Sequence, residues 1–94
     1  MRALELRHSA QADSFAQRLR ASRERAQRTQ GAVAADAGIT AKRMASLEMG
    51  GGAPPSAGLV GAFARLLNVP ALWLMAGDLA GKQHRPDWYA GGSA

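Results

Sequence analysis

Apolar residues recur at three- and four-residue spacing in a series of short segments, most of them opened by a hydroxyl or acidic residue and closed by glycine, asparagine or proline. The first periodic stretch runs from about residue 14 to 28, with Asp13 or Ser14 placed to cap it. Phe15, Leu19, Ser22 and Ala26 share one face; Arg18, Arg25 and Arg28 share another, and Arg20 projects elsewhere. Thr29 caps a second helix whose inner stripe is Val33, Ala34 and Ala37. Gly38 stands where a chain leaves a helix in the left-handed conformation, which costs glycine little. Ile39 turns inward, and Thr40 caps a third helix with Met44 and Leu47 facing the core and Gly50 at its end.

The run GGAPPS then breaks helical continuity, because proline lacks the N–H that a helix interior needs. Ser56 caps a fourth helix, about 57 to 67, with a wide apolar face of Leu59, Val60, Phe63, Leu66 and Leu67, and Asn68 ends it. Gly58 and Gly61 weaken this helix by about 1 kcal/mol each relative to alanine, and close approach of another helix would account for them. Pro70 to Met75 form a short fifth helix, with proline near its first turn and Gly77 beyond its end. Leu72, Trp73 and Met75 are candidates for core or for a dimer surface. The pattern predicts an all-α, compact five-helix domain over residues 13–78, with tails at 1–12 and 79–94. Leu4 and Leu6 alternate with charged residues, which fits a short strand or an extension of the first helix. In the second tail, Trp88 and Tyr89 suggest docking on this chain or on a second subunit.

Ninety-four residues fit a single domain able to bury a modest core. With no cysteine there is neither a disulfide framework nor a thiolate metal site, which fits a reducing, cytoplasmic setting. No segment reads as a signal peptide or a membrane span. The net charge is +5, carried mostly by arginine, whose planar fork suits phosphate. Charge alone leaves two readings open: a polyanionic partner, or the arginine and alanine usage of a GC-rich genome.

Two short helices separated by Gly38 make a helix-turn-helix, a motif whose second helix can lie in a DNA major groove. The pattern Gln30, Ala34, Gly38-Ile39-Thr40, Met44, Leu47-Glu48 and Gly50 resembles the lambda-repressor-like (Cro, C-repressor, XRE-type) helix-turn-helix family. The likeness extends from about Asp13 to Asp78. It implies DNA binding through the third helix. It also implies that Arg23 pairs with Glu48 as a structural ion pair, and that Gln30 donates to a phosphate from the start of helix two. The loop after Gly50 would pass near the DNA backbone, or serve as a plain connection.

The exposed face of helix three carries Thr40, Ala41, Lys42, Arg43, Ala45, Ser46 and Met49. Base contact is assigned to Thr40, Ala41, Lys42 and Ser46, because Lys42, or Arg43 in its place, can donate to guanine O6 and N7 and alanine can touch a thymine methyl. Arg28, Gln30 and Arg43 are assigned to phosphates. With few bidentate readers, affinity should lean on phosphates and DNA shape. The expected function is a transcriptional regulator, foremost a repressor on a palindromic operator, acting as a homodimer through helix five and the tail. The alternative is an antitoxin that holds a toxin protein through the C-terminal tail and represses its own operon. His8 and His84 show no spacing that suggests catalysis or a metal site, and no cofactor is expected.

Overall fold

The computed structural model describes residues 13–89. The expectations for Leu4, Leu6 and His8, and for the last five residues, lie outside that range. Five helices follow in order: α1 Phe15–Arg25, α2 Gln30–Ala37, α3 Ala41–Glu48, α4 Ala57–Leu67 and α5 Ala71–Ala76, then two 3-10 turns, Gly77–Ala80 and Lys82–His84. Among the described residues there is no strand, and no helix is long and apolar enough to cross a membrane.

The first four helices are bracketed in the same way. Each begins with a hydroxyl that accepts from the third backbone N–H of its first turn: Ser14 from Gln17 (3.2 Å), Thr29 from Ala32 (3.1 Å), Thr40 from Arg43 (3.0 Å) and Ser56 from Leu59 (3.1 Å). Such a bond satisfies one of the donors a helix start leaves unpaired. Each is followed by a left-handed residue, in turn Gln27, Gly38, Gly50 and Asn68. The next N–H then reaches back five residues: Arg28 to Arg23, Ile39 to Ala34, Gly51 to Ser46, Val69 to Ala64. Helix α1 therefore stops at Arg25, short of the expected 28, and Ala26 is exposed instead of facing inward.

The core gathers Leu19, Val33, Ala34, Met44, Leu47, Val60, Phe63, Leu67, Trp73 and Leu74, drawn from all five helices. Packing continues past Asp78. Trp88 and Tyr89 return to this chain, and Tyr89 is buried. Trp73 meets Trp88 edge to face (centroids 6.1 Å) and Tyr89 likewise (4.9 Å), geometries that aromatic quadrupoles favour.

One charged residue runs against the sequence expectation. Arg18 is not on the solvated face with Arg25; it is 4% exposed. Its Nε donates to the Leu74 carbonyl and its Nη2 to that of Met75, both at 3.0 Å, while Nη1 donates to the Asp13 carbonyl and faces the Asp13 carboxylate at 3.6 Å. The guanidinium thus caps the carbonyl end of α5, where positive charge is favoured, and ties it to the start of α1.

Candidate nucleic-acid interface

Helix α3 is fixed from behind. Met44 and Leu47 are buried in the core, and the Glu48 side chain lies beneath the helix at 2% exposure. At about 100° per residue, the outward direction opposite Met44 and Leu47 falls between Lys42 and Met49. Both are exposed, as are Thr40 and Ala41 at the helix start, with Ala45 half-buried beside them. The Thr40 oxygen accepts the Arg43 N–H as the helix cap, which leaves its own O–H to donate.

The opposite flank of the helix leans on the loop that follows. Arg43 Nη2 donates to the Ala53 carbonyl at 2.8 Å. Gly52 has φ +76°, and a β-carbon built there would stand 2.9 Å from Arg43 Nη1 and 3.2 Å from Ser46 Oγ. A β-carbon on Gly51 would lie 3.3 Å from the same Ser46 oxygen. Only glycine lets this loop lie so close to the helix. Arg43 and Ser46, assigned from sequence to phosphate and base, are therefore turned toward residues 51–53, with part of the Arg43 fork still available.

A polar network holds the two helices of the motif to α1. Arg23 meets Glu48 through both nitrogens of its fork, Nε to Oε2 at 2.6 Å and Nη2 to Oε1 at 3.0 Å. Its third nitrogen donates to the Arg28 carbonyl at 2.9 Å. Gln30 Nε2 donates to Glu48 Oε1 at 3.0 Å, so this amide is oriented from beneath and keeps one N–H and its carbonyl. The hydrogen bond with Glu48 raises the Arg23 pKa above its ordinary value; burial opposes this, and the Glu48 charge adds to it. Arg23 thus keeps its charge beside Glu48. Arg28 Nη2 is 2.5 Å from Asp36, which offsets part of the positive charge it would bring to a phosphate.

The structure brings Thr40, Ala41 and Lys42 together at the N-terminal end of α3, with Gln30 on the neighbouring α2. It does not bring Arg28 forward as a free cation. Met49, the residue that directly follows α3, was on the exposed face read from sequence but received no role; it is 86% exposed. Its signal was the seven-residue interval from Lys42, almost two whole turns.

Among the described residues, no three His, Cys, Asp or Glu side chains gather in a metal-binding arrangement. Comparison with curated proteins and with solved structures gave no significant match. A family model described as a helix-turn-helix domain matches residues 14–72, from the cap of α1 into α5. The chain belongs to that helix-turn-helix domain family, of the XRE or lambda-repressor-like type.

Proposed function

We propose that this protein is a sequence-specific DNA-binding transcriptional regulator that acts as a repressor by occupying an operator. The observation that carries the reading is Lys42, exposed on a helix whose back is locked by Met44 and Leu47. Thr40, Ala41 and Lys42 serve as base contacts, with Ser46 reached only at the helix flank. Gln30 and Arg43 serve phosphates with the N–H groups their internal bonds leave over, and Arg28 contributes less because Asp36 partners it. A homodimer on a roughly palindromic site fits a single helix that covers few base pairs. Leu72 and Met75 on α5 and Leu79 beyond it are exposed apolar residues, which supports α5 as the dimer surface. The cytoplasm is the compartment where such a regulator works.

Selection from random duplexes tests this. The expected product is a paired motif with half-sites about 10 base pairs apart or a multiple of that. Lys42→Ala should relax base preference, while Gln30→Ala should weaken all sequences alike. No retention of any duplex at low ionic strength would sink the reading.

One observation favours a second reading, the antitoxin. Leu79 is 94% exposed at the start of the C-terminal tail and offers an anchor to a protein partner. Trp88 and Tyr89 are already engaged with Trp73, so deleting the tail would disturb the core. Leu79→Lys is the cleaner probe: loss of a co-purifying protein with DNA binding intact would support the antitoxin.

A further inference from the structure

We infer that Met49 is a specificity-determining residue that reads the 5-methyl group of a thymine in the major groove. This rests on the DNA-binding reading above and extends it.

Three observations converge. First, Met49 is 86% exposed, although it ends a helix whose Met44 is fully buried. An apolar side chain left in water on a helix presented to a partner contributes binding free energy when it is covered. Second, Met49 lies seven residues beyond Lys42. At 3.6 residues per turn the two differ by only about 20° in direction, so both point away from the core. Along the axis they are about 10.5 Å apart, roughly three base steps of 3.4 Å. Third, the polar competitors on the adjoining flank are turned aside: Arg43 donates to the Ala53 carbonyl, and Ser46 Oγ lies against the space beside Gly51 and Gly52.

What then faces outward is one cation, Lys42, with Ala41, Ala45 and Met49. With the Thr40 hydroxyl at the helix start, such a surface contains two hydrogen-bond readers and three apolar ones. The apolar feature that a major groove offers is the thymine methyl. Alanine is short and reaches it only where the helix backbone comes close. Methionine has three rotatable bonds and a polarizable thioether, so it can follow a methyl at the diverging end of the helix. The half-site implied has a guanine opposite Lys42 and a thymine about three base pairs away, under Met49.

Uracil-for-thymine scanning of a selected duplex tests this, because uracil lacks only the 5-methyl group. At one thymine per half-site, uracil should weaken wild type about three- to fivefold, the effect of burying one methyl group. Met49→Ala should bind thymine and uracil duplexes equally, and Met49→Leu should restore the discrimination. The salt dependence of Met49→Ala should match wild type, since no phosphate contact is lost, whereas Lys42→Ala should change base preference at a different position. Equal uracil sensitivity in wild type and Met49→Ala would assign the methyl to Ala41 or Ala45 and overturn the inference. Wild type that selects a motif yet ignores uracil at every position would overturn it while leaving DNA binding intact. A changed oligomeric state in Met49→Ala, with discrimination retained, would make Met49 an interface residue and also overturn it. Failure to bind any duplex would remove the DNA-binding reading itself.

Discussion

Removing one side of the Arg23–Glu48 pair tests how the helix-turn-helix is held to α1. In Arg23→Ala the Glu48 carboxylate stays at 2% exposure and loses two of its three donors, keeping only Gln30 Nε2. The Arg28 carbonyl loses its bond as well. An uncompensated buried charge costs roughly 3–5 kcal/mol. A folded unit of this size has only about 5–10 kcal/mol in total. At about 4–8 °C per kcal/mol, the melting temperature should fall by at least 12 °C or so, read by far-ultraviolet circular dichroism. Arg20→Ala is the control, since Arg20 and Glu24 form a pair with both side chains more than half exposed, and it should change little. The double variant Arg23→Met, Glu48→Met should recover much of the loss, because a buried ion pair replaced by apolar side chains is often neutral. An Arg23→Ala protein melting within about 4 °C of wild type, or a double variant no more stable than the single one, would refute the reasoning.

Three further outcomes are expected. Gly61→Ala should raise the melting temperature by about 5 °C, a helix-propensity gain near 1 kcal/mol, because a β-carbon there meets only Arg65 Nη1 at 3.7 Å; weaker self-association instead would show that Gly61 admits a second helix. Gly52→Asn keeps a residue that tolerates the left-handed backbone but drives Arg43 from the loop, so it should weaken DNA binding several-fold with little change in melting, as Arg43→Ala should. Tyr89 is the single tyrosine, and burial, followed by the nearby Asp13 charge, holds its phenol above its ordinary value of 10.0. As pH rises the unfolded chain gives up this proton first, so the stability it contributes is whole below about pH 10 and falls above it; near-ultraviolet absorbance should place its midpoint above that of the unfolded chain, and Tyr89→Phe should flatten the alkaline loss.

The helix borders that local chemistry controls were legible in the sequence. Ser14, Thr29, Thr40 and Ser56 cap where hydroxyls precede apolar periodicity, and Gly38, Gly50 and Asn68 take the left-handed exits. The end of α1 was not legible, because RERAQR contains no breaker and Gln27 adopts φ 59° against its intrinsic preference. What accompanies that turn is non-local: the Arg23 fork grips both Arg28 and Glu48, twenty-five residues away in sequence. Arg18 escaped notice for a similar reason. Helical spacing groups it with Arg25 and Arg28 at the edge of the face that carries Phe15 and Leu19, and its charge argued for solvent. The carbonyls that accept from it belong to α5, fifty-six and fifty-seven residues further along the chain.

On α3 the same distinction divides the face of one helix. Periodicity alone determines the two extremes: whatever buries Met44 and Leu47 must send Lys42 and Met49 to the far side. The flanks are set by whatever lies alongside. Toward one side the loop at Gly51 and Gly52 comes within contact distance, and it takes up Ser46 and Arg43. Toward the other side Ala41 remains exposed, with Ala45 partly covered. Ser46 and Arg43 have the hydrogen-bonding groups that suit DNA, so side-chain chemistry alone favoured them as contacts. In the structure Arg43 donates to the Ala53 carbonyl and Ser46 lies beside Gly51 and Gly52, while the line opposite Met44 and Leu47 runs between a lysine and a methionine. Because Met49 is apolar, it drew no attention as a DNA contact in the sequence, yet its direction follows from the arithmetic that places Lys42. On a recognition helix, direction therefore has to be settled before side-chain chemistry is used to choose contacts, and for flanking positions that requires knowing the path of the following loop.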